Sequence, residues 1–322
     1  MSELVYAWLA VILGIAGLVW SADRFVAGSA AIASNFGISK LVIGLTIVSL
    51  GTSAPEILVS VNASLDGEGA LAVGNALGSN IANIGLVLSI TALIAAIPIQ
   101  KHILTQEFPA LLLVTVLAGV FLYDRQLVLW EGAVLIALII PIIYAMIRYK
   151  KSHPEDAEDE DIPNMNNAAA AIWFVIGLVL LIASSDALVY GATRIATHFG
   201  VSSLVIGLTV VAVGTSLPEL AASVVSAIKG HHDIALGNIV GSNLFNILTV
   251  MSIPGIVGLE AMEASVFTRD YLMMLGLTLF LFVAVVIDFK LKGKREHGHL
   301  GKLIGSLLLL SYIGYYVLLF NS

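Results

Sequence analysis

Cysteine is absent from the 322 residues, which excludes disulfides, thiolate metal sites and cysteine nucleophiles. Charge is scarce as well. Asp, Glu, Lys and Arg make up 11% of the chain, where a soluble domain carries about 25%. Hydrophobic residues make up 59%. Too little polar surface remains to cover a body of this size in water, so the chain reads as a polytopic membrane protein. A basic excess is missing too: 15 Lys and Arg stand against 22 Asp and Glu, which argues against nucleic acid as a partner. There is no glycine-rich phosphate loop ending in Gly-Lys-Ser/Thr, so an intrinsic ATP-driven pump is excluded. The seven histidines (His102, His153, His198, His231, His232, His297 and His299) fall in or near polar connections. A histidine-rich metal cage inside the membrane is therefore not expected, and His231 and His232 read as solvated.

A helix that crosses the hydrocarbon needs about 20 apolar residues. The runs between charges and polar breaks give ten such spans, at 4–22, 40–64, 70–97, 105–122, 127–148, 168–190, 204–228, 233–258, 270–288 and 302–320. The runs are too long for barrel strands and lack their alternation. The first run has no basic stretch before it and carries Glu3, so it reads as an uncleaved helix. With the N-terminus outside, twelve Lys and Arg fall in inside connections and three outside. That bias places both termini outside and the 149–167 loop in the cytoplasm. The loop holds six acidic residues between Glu155 and Asp161, and reads as a solvated linker.

What is present in abundance is repetition. Residues 44–83 and 207–246 align without a gap at an offset of 163, and 19 of 40 positions are identical. Shared apolar bias cannot match GTSAPE with GTSLPE, or GNALGSNIAN with GNIVGSNLFN. Upstream, Asp23 pairs with Asp186, Gly28 with Gly191 and Gly37 with Gly200. Each half holds five spans. Five is odd, so the second half enters from the opposite side, which makes an inverted repeat of the kind found in secondary transporters. The fold class is thus an all-α membrane protein of ten helices in two inverted five-helix repeats, 1–148 and 168–322.

In the second span Thr52, Ser53, Glu56 and Ser60 form one stripe of oxygens on an apolar helix. Pro55 lacks an N–H and crowds the Gly51 carbonyl, so carbonyls at Ser49, Leu50 and Gly51 are expected to be freed toward a cation. Thr215, Ser216, Pro218, Glu219 and Ser223 repeat the pattern. Asn75, Ser79 and Asn83 share a face of span three, as do Asn238, Ser242 and Asn246 on span eight. Gly74, Gly78, Gly237 and Gly241 allow a helix to approach closely. All these donors are hard oxygens, suited to Na+, Ca2+ or Mg2+. Glu56 and Glu219 read as the acidic residues deep within spans, where a charge costs at least about 2.5–3.5 kcal/mol and marks an ion path. Two carboxylates balance one Ca2+ or two Na+, and one site used alternately by two ions is an antiporter. Asp23 and Asp186 read as helix caps or lip residues, with a place on the ion path as the alternative. Asn80 and Asn243 are expected to bond helix to helix. Glu107 and Glu131 fit helix N-termini.

These motifs resemble the two alpha repeats of the sodium/calcium exchanger family, within the calcium/cation antiporter superfamily. The resemblance covers the whole chain, which looks like a compact prokaryotic-type member. It implies alternating access, with helices one and six sliding past the core. It also implies a cation site made by Ser49, Thr52, Ser53, Glu56, Ser79 and Asn83 from one repeat, and by Ala212, Thr215, Ser216, Glu219, Ser242 and Asn246 from the other. Ser49 and Ala212 would contribute backbone carbonyls. Some exchangers, the potassium-dependent branch included, place Asp where Asn246 stands, so K+ independence is expected. The expected function is Na+/Ca2+ antiport in the cell (inner) membrane. H+/Ca2+ (or other divalent) antiport is the alternative, because a low-dielectric site favours a protonated carboxyl. A membrane-embedded enzyme is disfavoured, since no His, Cys or paired Asp joins the two glutamates. No resident cofactor and no obligate protein partner is expected; the partners are Na+ and Ca2+ as substrates and the lipid bilayer.

Overall fold

The structure is a computed structural model and describes residues 2–101, 103–152, 165–201, 210, 212–258, 261–291 and 297–321. His102, His153, the acidic run 155–161 and part of the seventh predicted span lie outside the described residues.

Helices dominate. In chain order they are α1 (Ser2–Asn35), α2 (Lys40–Thr52), α3 (Ala54–Leu65), α4 (Gly69–Ile94), α5 (Ile103–Leu122), α6 (Leu129–Ser152), α7 (Asn167–His198), α8 (Ala212–Thr215), α9 (Leu217–Ile228), α10 (His232–Val257), α11 (Val266–Lys290) and α12 (Lys302–Asn321). Among the described residues eight of them are long and apolar enough to cross a membrane, and the pair α2 and α3, bent by 47°, makes a ninth. Large apolar side chains such as Leu113, Ile140 and Leu303 stay exposed on the outside. The protein is a multi-pass membrane protein.

Two helices outrun their sequence estimates. The runs 4–22 and 168–190 grow to α1 and α7, of 34 and 32 residues. The charges that seemed to end them lie inside the helices. Arg24 stacks on Trp20 and Trp173, at 5.8 and 5.0 Å. Asp23 binds Lys229, Oδ1 to Nζ 2.6 Å. Neither Asp23 nor Asp186 caps a helix. The helices α1 and α7 pack antiparallel with backbones in close contact. A Cβ on Gly28 would come within 2.6 Å of Phe174 N, and one on Gly177 within 2.6 Å of Phe25 N. The pair meets the rest of the molecule through a small cluster, including Leu18, Ala22, Phe25, Val48, Ala222 and Ile234, separate from the main core.

That core surrounds α4 and α10, and α10 is buried along almost its whole length. Both helices switch to a π-helical turn part-way, at Asn83–Leu88 and Asn246–Val250. Such turns cluster at functional sites because they rotate the side chains that follow.

The third predicted span stops at Ile94, before 97. Ile97–Gln100 forms a strand, β1, paired antiparallel with β2, His297–Leu300. His299 N donates to Asp288 Oδ2 at 2.7 Å. The ribbon puts the connection after α4 beside the one before α12. Asn35 Nδ2 donates to Met165 O at 2.9 Å, and Met262 N to Arg125 O at 2.8 Å. Each contact joins connections that the charge count assigns to the same side. His231, expected to be solvated, is buried as the residue preceding α10. Its N donates to Ser226 O at 2.8 Å and its carbonyl accepts from Ala235 N at 3.1 Å, which ties the turn to both α9 and α10. Glu131 behaves as expected, with Oε2 accepting from Val128 N at 2.9 Å.

Candidate cation site

Two broken helices meet at the centre. The first breaks at Ser53 (φ −83°, ψ 7°), between α2 and α3. The second breaks at Ser216 (φ −90°, ψ 4°), between α8 and α9. Pro55 and Pro218 sit in the first turns that follow, where their missing N–H costs no helical bond. Each break therefore starts a new helix, and Glu56 and Glu219 lie in its first turn. The positive end of a helix favours a carboxylate there. Sequence reasoning placed the strain on freed carbonyls instead. The Ser49 carbonyl is in fact engaged, accepting from Ser53 N at 2.9 Å and from the Thr52 hydroxyl at 3.3 Å.

The two halves interlock. Ser53 Oγ donates to Glu219 Oε1 at 3.1 Å. Thr52 Oγ1 donates to Asn238 Oδ1 at 3.1 Å. Among the described residues neither glutamate has an ion-pair partner. Close approach makes this possible: a Cβ on Gly241 would meet Ser49 Oγ at 2.5 Å and Leu45 O at 2.7 Å. Among the described residues nothing comes within 4 Å of a Cβ on Gly74 or Gly78.

Glu56 and Glu219 are each 1% exposed, and so are Asn83, Ser216 and Asn246. Ser49, Thr52, Ser53 and Ser242 are fully buried, and Ser79 nearly so. Thr215 is half-buried, and Ala212 opens α8. Glu56 Oε2, Glu219 Oε2, Asn83 Oδ1, Asn246 Oδ1, Ser216 Oγ and Ser242 Oγ are buried with no protein partner among the described residues. Orphaned buried oxygens are rare and call for an explanation. Six of them, from both halves and two from carboxylates, suit a hard cation. Among the described residues no cluster of three His, Cys, Asp or Glu offers a conventional metal cage, so neutral oxygens must complete the coordination.

Other residues of the predicted stripes do different work. Ser60 Oγ donates to Val250 O at 2.8 Å, tying α3 to α10. Asn75 Nδ2 donates to Glu56 O at 3.0 Å, and Asn238 Nδ2 to Glu219 O at 3.3 Å. The same contact thus occurs twice at the offset of 163, the signal that could have assigned it from sequence. Asn238 also donates to Ser223 Oγ at 2.9 Å. Among the described residues Asn243 Nδ2 donates within its own helix, to Ile239 O at 2.7 Å, and the Asn80 amide has no protein partner. Among the described residues neither links helices as expected. Asn238→Ala removes the support of Thr52 and of the Glu219 backbone. At about 1 kcal/mol for each lost bond, Ca2+ affinity is expected to fall about tenfold or more by titration calorimetry. Unchanged affinity would show that Thr52 holds its place alone.

Comparison with known proteins follows the same lines. The family description "Sodium/calcium exchanger protein" matches residues 6–148 and 169–321. CaxA of Alkalimonas amylolytica is 44% identical over 325 residues, covering 99% of this chain and 100% of that protein. The inner membrane protein YrbG of Escherichia coli K12 is 36% identical over 318 residues, covering 96% and 95%. The sodium-calcium exchanger NCX_Mj, solved after soaking with zero Na+ and Ca2+, superposes with a TM-score of 0.83 at 30% identity, over 97% of this chain and 98% of that one. The chain belongs to the sodium/calcium exchanger family, a family of membrane antiporters and not of enzymes.

Proposed function

We propose that the protein exchanges Na+ for Ca2+ by alternating access, without K+. Ten spans form two inverted halves, 1–148 and 168–322, joined by the 149–167 linker. The termini lie outside and the linker in the cytoplasm of the cell (inner) membrane. The observation that carries this reading is the pair Glu56 and Glu219. Each half supplies one carboxylate, on the first turn of a half-helix, and Ser53 of one half binds Glu219 of the other at 3.1 Å. Such a site cannot be completed by either half alone, which fits access that alternates as the halves move. The ligands are Thr52, Ser53, Glu56, Ser79 and Asn83 with Thr215, Ser216, Glu219, Ser242 and Asn246, plus the carbonyl of Ala212 and that of Ser49 once the Thr52 hydroxyl turns from it to the cation. Two carboxylates balance one Ca2+ or two Na+ on the same oxygens. Amides at both Asn83 and Asn246 leave no third carboxylate for a further cation.

The test is radioactive Ca2+ uptake into proteoliposomes under an outward Na+ gradient, a pH gradient and an outward K+ gradient. Uptake that follows Na+ and ignores K+ is the expected result. Uptake that follows only the pH gradient would move the chain to proton coupling, and K+-coupled flux would overturn K+ independence.

A further inference from the structure

Among the described residues the ion pair Asp23–Lys229 has no mate in the other half. Asp23 lies within α1, and Lys229 follows the last residue of α9. The helix α9 carries Glu219 in its first turn. Ten residues separate Glu219 from Lys229, about 15 Å along a helix, so the pair grips the far end of the helix that holds a central carboxylate. At the offset of 163 the partner of Asp23 is Asp186, whereas the position equivalent to Lys229 is Asp66. Asp66 likewise follows the last residue of α3, the helix that carries Glu56. One glutamate helix ends in a cation and the other in an anion. Among the described residues Asp186 and Asp66 form no ion pair.

The packing is lopsided in the same sense. The helix α1 packs on α9, while α7 makes no comparable contact with α3 among the described residues. Besides Lys229, the charged group near Asp23 is Arg24, whose Nε lies 3.9 Å from Asp23 Oδ2. Arg24 is its chain neighbour and stacks on Trp20 of α1 and Trp173 of α7, so it travels with the α1–α7 pair.

We propose that Asp23–Lys229 is a one-sided latch that holds the α1–α7 pair in the arrangement seen here and has no counterpart in the opposite state. The inference rests on alternating access by inverted halves. In that scheme the halves exchange roles, and α7 takes on α3 the place that α1 has on α9. Asp186 then approaches Asp66, and two like charges replace an ion pair. The repeat makes the two end states alike in shape, and this one position makes them unequal in energy. Both partners are partly exposed, with 32% and 41% of their side-chain surface accessible. A pair of that kind shifts an equilibrium by about two- to fivefold.

The absence of native cysteines allows a direct test. Spin labels on Ile12→Cys of α1 and Leu113→Cys of α5, both exposed, report the position of α1 against the core by electron–electron double resonance in proteoliposomes. Lys229→Gln and Asp23→Asn are each expected to raise the minor distance population about two- to fivefold, and Lys229→Arg to leave it unchanged. Asp66→Lys, which gives Asp186 a cation, is expected to raise it as well. Two populations that respond to Na+ and Ca2+ but not to Lys229→Gln or Asp66→Lys would overturn the latch and leave alternating access standing. A single distance under every ion condition would overturn the moving pair, and the latch with it.

Discussion

Glu219→Gln is expected to lower Ca2+ affinity and Na+-driven uptake by between about 10²- and 10³-fold. The reason is the surroundings of Glu219. Glu219 is 1% exposed, accepts a hydrogen bond from Ser53, and among the described residues leaves Oε2 without a protein partner. A cation brought to this place faces two negative charges and a set of neutral oxygens. Removing one of two partners in a buried charge interaction costs about 3–5 kcal/mol. Glu56→Gln should behave alike, because Glu56 stands at the same position of the other half-helix. Thermal stability separates a ligand from a structural group. Without ions, both variants should melt at or above the temperature of the parent, since an uncompensated buried charge has gone. Stabilisation by Ca2+ should disappear in both. A parent-like upward shift on adding Ca2+ to either variant would remove that glutamate from the site.

Gly241→Ala is expected to abolish transport in a protein that still folds. The added Cβ would sit 2.5 Å from Ser49 Oγ, 2.7 Å from Leu45 O and 2.8 Å from Leu45 Cα. Two of the three are backbone atoms of α2, so no side chain can swing away to make room. Overpacking of this kind costs about 1–3 kcal/mol and should lower the melting temperature by roughly 2–10 °C. The larger effect is on the site. The helix α2 ends in Thr52, next to Ser53, and the two hydroxyls reach Asn238 of α10 across this interface and Glu219 of α9, which packs on α10. Pushing α2 away separates both bonds at once. Gly276→Ala on α11 is the control, because nothing described lies within 4 Å of its added Cβ. Parent-like Ca2+ uptake by Gly241→Ala would show that α2 and α10 need not approach so closely.

The sequence carried the family and pointed to the buried Glu56 and Glu219, because both are written in polar letters on an apolar background. A glutamate beside Pro, Thr and Ser inside a hydrophobic run has few readings, and its reappearance 163 residues later removes most of them. Helix ends were harder. Asp23 and Arg24 looked like the end of a span, yet Lys229 and two tryptophans accommodate them within α1. No local pattern announces a partner two hundred residues away. The β1–β2 ribbon was hidden for the same reason, since four residues on each side become strands only by pairing with each other. The π-turns at Asn83 and Asn246 leave no mark in composition. Burial of His231 depends on a turn tied to both α9 and α10. Asn75 and Asn238 were placed on the right face, but their amides hold glutamate carbonyls and do not point to a role as ligands.

The two unpaired carboxylates also bear on leakage. In the proposed exchange, one Ca2+ or two Na+ leaves the centre electrically neutral. Emptied with both carboxylates ionised, it carries two negative charges. Closing the protein around bare carboxylates adds a desolvation penalty of several kcal/mol for each. The unloaded carrier is therefore trapped on the side where it released its cargo until another ion arrives. Strict one-for-another coupling then needs no separate gate, because the fixed charge of Glu56 and Glu219 blocks the idle return stroke that would let a gradient run down unused.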